Sequence, residues 1–244
     1  MNKDSKILVA LDVDTAEKAL ALAQKLEGEV AGYKVGLELI NAAGFGFLDE
    51  LRETMGADAR LFYDCKFLDI PNTVAGASRA AARRGVWMFN VHASGGSEML
   101  RAAVAGAEAG AAEAGVPKPL VIAVSVLTSI TPEVLRDEMG VSRPLPEQVV
   151  ALARLAQGSG CDGLVASPHE IAAIRAACGQ HFLLVIPGVR PAGTDKGDQK
   201  RVMTPGEAVR AGADYIVVGR PITADADPAQ AARRINAETA GGAA

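Results

Sequence analysis

The sequence predicts an α/β fold: a single-domain (β/α)8 barrel of the TIM type spanning residues 1–244. Three observations predict it. Eight short apolar runs alternate with longer segments whose apolar residues recur at three and four spacing, the mark of strand–helix units. Eight such units in 244 residues match the length of one closed barrel. No glycine-rich dinucleotide turn follows the first run, which favours closure over a doubly wound open sheet.

The elements follow in order. The first strand is "KILVALDV" (6–13), and the helical pattern "TAEKALALAQKLEG" (15–28) stops at Gly28. "GYKVGLEL" (32–39) and "RLFYDCKF" (60–67) are the second and third strands, the latter followed by "NTVAGASRAAARRG" (72–85). "MFNVHA" (88–93) is the fourth, and "GSEMLRAAVAGAEAGAAEAG" (96–115) supplies a long small-residue helix. "PLVIAVSVL" (119–127), "GLVAS" (163–167) and "FLLVIPGV" (182–189) are the fifth to seventh, with "LPEQVVALARLAQGSG" (145–160) helical between the fifth and sixth. "RPAGTDKGDQKRVMTP" (190–205) is polar, contains glycine and lacks an apolar stripe, so it reads as a long loop and a candidate lid. "TPGEAVRAGA" (204–213) is helical, and "YIVVGRPI" (215–222) is the eighth strand.

Bulk properties narrow the partners. A hydrophobic fraction of 49% supports a sizeable core, and 4% aromatics leave the packing to small and aliphatic residues. The net charge of -4 carries no acidic or basic block, so nucleic-acid binding is not expected, and an anionic ligand needs local basic groups. No apolar run reaches the roughly 18 residues of a membrane span, and the polar start has no signal-peptide pattern. Cys65, Cys161 and Cys178 are odd in number and scattered, which argues against disulfides and zinc and for a reducing cytoplasm.

In a barrel of this kind chemistry sits where strands end. The polar residues there are Asp12, Asp14, Lys34, Asp64, Lys66, His92, Thr128, Ser129, Ser167, Arg190 and Arg220. The stretch "LFYDCKFLDIPNT" (61–73) concentrates them, with Asp64, Lys66 and Asp69 within six positions. Strand periodicity puts Asp64 and Lys66 on one face and Cys65 on the other, packed against helices and not a nucleophile. Lys34 adds an ammonium on a neighbouring strand, so charges of alternating sign are expected. Such a cluster is either a structural ion-pair network or a proton-donating site. His92 reads as a hydrogen-bonded structural residue, because no His/Asp/Glu spacing here fits a zinc site.

"FYDCKFLDIPNTV" resembles the D-x-K-x-x-D-I-P-N-T signature of the orotidine 5'-phosphate decarboxylase family. "ALDVD", "YKVGLEL", "GVWMFNVHASGG", "VLTS", "IPGVRP", "GDQKRVMTPGEA" and "ADYIVVGRPI" resemble that family's segments in the same order. Two departures are visible: Leu68 stands where many relatives have His, and Ser125 is a mild change in the segment before "LTS". The resemblance implies decarboxylation of orotidine 5'-phosphate to UMP, the last step of de novo pyrimidine nucleotide synthesis, with no cofactor and no metal. It implies Lys66 as proton donor, Asp64 facing the substrate carboxylate, and Lys34 between Asp64 and the ribose. Asp12 and Asp69 would hold ribose hydroxyls or complete the charge array, and Asp69 and Thr73 would reach into a neighbouring subunit of a homodimer. Thr128 would lie beside the pyrimidine, while Arg190, Gln199, Gly219 and Arg220 would grip the phosphate. Phosphates in such barrels often bind after strands seven and eight, which agrees with the last assignment. The runner-up is a sugar-phosphate enzyme on the same barrel, a 3-keto-gulonate 6-phosphate decarboxylase or hexulose-phosphate synthase. Those bind Mg2+ with a carboxylate where this chain has Lys34.

Overall fold

The computed structural model describes residues 1–191 and 203–241. Eight parallel strands close into a barrel in chain order: β1 (Ile7–Ala10), β2 (Gly32–Val35), β3 (Leu61–Phe67), β4 (Met88–His92), β5 (Leu120–Val124), β6 (Gly163–Val165), β7 (Leu183–Ile186) and β8 (Tyr215–Val218). Closure is direct: β1 pairs with β2 on one side and with β8 on the other. No strand edge is left open, which removes the hazard of an unpaired ladder.

Helices wrap the outside. They are α1 (Ala16–Lys25), α2 (Leu37–Ala43), α3 (Phe47–Met55), α4 (Pro71–Arg83), α5 (Gly96–Ala114), α6 (Leu145–Gly158), α7 (Ile171–Cys178), α8 (Pro205–Ala211), α9 (Arg220–Thr223) and α10 (Pro228–Ala240). Their starts carry the expected chemistry. The Thr15 hydroxyl accepts from the Lys18 amide ahead of α1, and Asp227 accepts from the Gln230 amide ahead of α10. Thr204 and Glu207 form a reciprocal capping box ahead of α8, so residues 204 and 205 belong to that helix start and not to the preceding loop.

Seven of the eight apolar runs end as strands earlier than periodicity suggests, and the second and eighth fall furthest short. "GYKVGLEL" is strand only through Val35, and "YIVVGRPI" only through Val218. Past those points the chain leaves the ladder, and Leu37 and Arg220 begin helices instead.

The core has two parts. The larger fills the space between strands and helices and contains Cys65, Tyr33, Phe89 and the inner faces of α1, α3, α5 and α6. The smaller lies inside the barrel, where Leu8, Ala31, Phe62, Met88, Ile122 and Val185 form an apolar layer at the N-terminal end of the strands. Trp87 and Tyr215 close that layer from below, edge to face at 5.3 Å, and the Arg60 guanidinium lies 5.1 Å from the Trp87 ring. The apolar floor leaves the opposite end of the interior open to a cavity.

Candidate active site

The cavity, of about 540 Å³, lies at the C-terminal ends of the strands. It gathers Asp12, Lys34, Asp64, Lys66, Thr128, Arg190, Gly219 and Arg220 from six of the expected strand ends. Alternation explains the gathering: residues pointing inward on each strand repeat every second position, so Phe62 in the floor is followed by Asp64 and then Lys66 in the cavity. Cys65 points the other way, buried against the helices, and burial pushes its thiol up to about 12. It is no nucleophile at neutral pH.

The charges form one connected array. Lys34 Nζ lies 3.0 Å from Asp12 Oδ1 and 3.2 Å from Asp64 Oδ2, and Lys66 Nζ lies 2.6 Å from Asp64 Oδ1. The order is therefore Asp12–Lys34–Asp64–Lys66. The expected alternation is present, with Asp12 at its end. Asp69 is exposed and turned to its own neighbour's backbone, the Ile70 amide, at 2.6 Å. Thr73, on the first turn of α4, is exposed as well. Neither lines the cavity of the single chain. Ser129, also expected near the ring of polar groups, is exposed outside it, whereas Thr128 lines it.

The array is deeply placed. The side chains of Lys34 and Asp64 retain 9% and 13% of their accessible surface. For Asp64, burial is the strongest single influence and works against the charge. Lys34, Lys66 and the Asn90 amide together outweigh it and hold the carboxyl below its ordinary range. For Lys34, burial again acts first and against the charge, and Asp64 and Asp12 outweigh it, so its ammonium is held above its ordinary value. Magnitudes show what such an array is for. A unit pair at 4 Å attracts by roughly 4 kcal/mol at an effective dielectric of about 20. Desolvating each ion costs several kcal/mol. The two nearly cancel, so the array adds little to stability and its presence points to function.

A side chain at Gly36 would disturb this arrangement. A Cβ there would stand 2.9 Å from Lys34 Nζ and 3.2 Å from Asp12 Oδ1. Gly219 plays a different part, because a Cβ there would meet only Ala10, at 3.6 Å. Its lack of a side chain leaves cavity volume free where a ligand's phosphate is expected.

Sequence reasoning missed one residue. Asn90, 1% exposed on β4, lines the cavity; its side chain donates to Asp64 Oδ1 at 2.7 Å and accepts from the Lys66 amide at 2.7 Å. The available signal was a polar residue inside the apolar run "MFNVHA", at the inward parity shared with Met88. His92 corrects an expectation. Its ring makes no hydrogen bond among the described residues; burial first, and then Lys66, hold its pKa below the usual value.

Arg190 and Arg220 line the same cavity, at the ends of β7 and β8. The Arg190 amide donates to the Met203 carbonyl at 3.0 Å, so the chain leaving the barrel at Arg190 returns beside it. Gln199 and most of the candidate lid at 190–205 lie outside the described residues. Among the described residues, no group of three or more His, Cys, Asp or Glu is placed to hold a metal ion, and no helix is long and apolar enough to cross a membrane.

Comparison with known proteins agrees with this geometry. Residues 5–235 match the model of the Orotidine 5'-phosphate decarboxylase / HUMPS family. The chain is 54% identical over 238 residues to the orotidine 5'-phosphate decarboxylase of Moorella thermoacetica, covering 98% of this chain and 93% of that protein. It is 51% identical over 244 residues to that of Heliobacterium modesticaldum, covering 99% and 98%. The crystal structure of orotidine 5'-phosphate decarboxylase from Lactobacillus acidophilus superposes with a TM-score of 0.85 at 39% identity, over 96% of this chain and 99% of that one. A match this long and this even, on a barrel whose mouth carries the Asp12–Lys34–Asp64–Lys66 array, places the chain in the orotidine 5'-phosphate decarboxylase / HUMPS family.

Proposed function

We propose that the chain is a carboxy-lyase that converts orotidine 5'-phosphate to UMP and CO2, the last step of de novo pyrimidine nucleotide synthesis. The observation that carries the reading is a largely buried Lys34–Asp64–Lys66 array in a cavity that Arg190 and Arg220 also line. The array suits a reacting ring and the two arginines a phosphate.

In this reading the bond from the pyrimidine ring to the carboxylate breaks, and its electron pair stays on the ring carbon. Lys66 stabilises that developing carbanion and then transfers a proton from Nζ to it. Asp64 crowds the departing carboxylate and pairs with the Lys66 ammonium. Stabilisation of charge that exists only in the transition state is what raises the rate. Lys34 and Asp12 orient the ribose, Thr128 lies beside the base, and Arg190, Gly219 and Arg220 bind phosphate with Gln199. Binding energy from the remote phosphate then orders the site. The Lys34 ammonium stands between Asp12 and Asp64, where a divalent ion would have to sit. Like charge opposes the metal, which supports metal-free and cofactor-free chemistry over the sugar-phosphate enzymes.

The working unit in this reading is a homodimer with shared sites. Leu68 and Ile70 flank Asp69 and remain 55% and 67% exposed, an apolar surface suited to cover by a second copy, whose site would receive Asp69 and Thr73. We infer a single domain, since the barrel takes in the chain from β1 to β8. A reducing cytoplasm suits its three free cysteines.

The test is loss of orotidine 5'-phosphate absorbance with EDTA present, comparing the native chain with Lys66→Ala. Rapid loss that disappears in the variant is expected. No loss in the native chain would move the assignment to the sugar-phosphate enzymes, with Lys34 the first role withdrawn.

A further inference from the structure

β3 and β4 pair regularly at Tyr63 with Phe89 and again at Phe67 with Val91. Between those points Asp64, Cys65 and Lys66 stand opposite Asn90 alone. The backbone ladder cannot serve three residues with one, and the bulge bends the strand. Lys66 takes up the bend. Its φ is 50°, and it is the sole residue other than glycine with positive φ among the described residues. A long side chain in that region costs roughly 1–3 kcal/mol and persists only where its surroundings enforce it.

Asn90 supplies the enforcement. Its side-chain oxygen accepts from the Lys66 amide, and its side-chain nitrogen donates to Asp64 Oδ1, each at 2.7 Å. Its backbone carbonyl accepts from the Cys65 thiol at 3.1 Å. One residue thus engages all three residues of the bulge. The same Asp64 oxygen receives Lys66 Nζ at 2.6 Å, so the amide fixes both partners of the reacting pair relative to each other.

We propose that Asn90 is a positioning residue of this site: a side-chain clip that replaces the missing ladder, holds Lys66 in its left-handed backbone conformation and aims Asp64 and Lys66 as a unit. The inference rests on the decarboxylase reading for its kinetic consequence and on the bulge alone for its structural one. Asn90 does not need to touch the substrate to act.

Two variants test it. Asn90→Ala removes both side-chain bonds and is expected to lower kcat about 10- to 100-fold, the scale of a lost hydrogen bond to a charged group. UMP affinity should be retained, because the groups assigned to the phosphate stand at the ends of β7 and β8 and not on β3 or β4. Asn90→Asp keeps the shape but sets an oxygen against Asp64 Oδ1, and two carboxyls that close share a proton. The protonated form restores both bonds, so the ratio of variant to native activity should rise as pH falls. The other charged or titratable groups around this position are Lys66 on β3, Lys34 on β2 with Asp12 behind it, and His92 on β4. From β5 it meets apolar Ile122 and Val124. Native kcat in Asn90→Ala, or a ratio for Asn90→Asp that is flat with pH, would overturn the proposal. So would an Asn90→Ala variant losing UMP affinity and melting temperature together with kcat, which would mark Asn90 as a residue of general stability. If the native chain does not turn over orotidine 5'-phosphate, the reaction fails separately. The clip is then read from a crystal structure of Asn90→Ala, where Lys66 remaining near φ 50° would overturn it.

Discussion

The two ends of the barrel interior share their strands and their alternation but differ in chemistry. At the floor, Leu8, Phe62, Met88, Ile122 and Val185 pack against one another. One inward step along β3 and β4 replaces Phe62 with Asp64 and Met88 with Asn90. Lys34, Asp64 and Asn90 are largely shielded from water, as the floor is, yet burial has opposite consequences. In the floor each large side chain contributes roughly 1.5–3 kcal/mol by leaving water. At the mouth, attraction between charges and the cost of desolvating them nearly cancel. The lower half of the barrel holds the fold together, and the upper half is free to be arranged for chemistry.

Substitutions on the two levels should separate accordingly. The largest effect is expected from Lys66→Ala, which should lower kcat by roughly 10³-fold or more while leaving the melting temperature near native. Steady-state kinetics beside calorimetry would break the comparison if stability fell as well. In the floor, Met88→Ala should destabilise by about 2–5 kcal/mol in denaturant unfolding, with turnover per folded molecule close to native. A large loss of turnover there would mean that the floor also shapes the site.

A smaller effect is expected at the end of β8. Arg220→Ala should raise KM roughly 10- to 100-fold for a phosphate-bearing substrate, the scale of one charge-assisted contact. The corresponding nucleoside, which lacks phosphate, should show little change between native and variant. The smallest effect is in the pH dependence of stability. Asp64 is held below its ordinary range, so its contribution is complete above the unfolded value of about 3.9 and fades as pH falls through the lower folded value. Lys34 is held above its ordinary value, so its contribution is complete below about 10.4 and fades as pH rises through the folded value. Urea titrations should show a shallower acid limb for Asp64→Asn than for the native chain.

Much of this was readable from local pattern. Phe62, Asp64 and Lys66 share one parity, so their common face needed no structure, and neither did the outward burial of Cys65. The strands, and helices such as α1, α4, α5 and α6, lie within a few residues of the runs that predict them. The extents of the second and eighth strands were not readable, because the point at which a strand leaves its ladder depends on pairing with other strands, and that is a property of two segments. Asn90 escaped for the same reason. Its sequence neighbours mark it as inward, but only the β3–β4 register sets it alone against three residues.

Composition, period and motif thus determined the barrel, the face on which the charges stand and the family resemblance, because each depends on residues close together in the chain. Tertiary structure decided which charges meet, that Asp12 and not Asp69 completes the array within one chain, and that Lys66 adopts a left-handed backbone. Those outcomes depend on register and distance between strands, which the pattern of either strand alone does not contain.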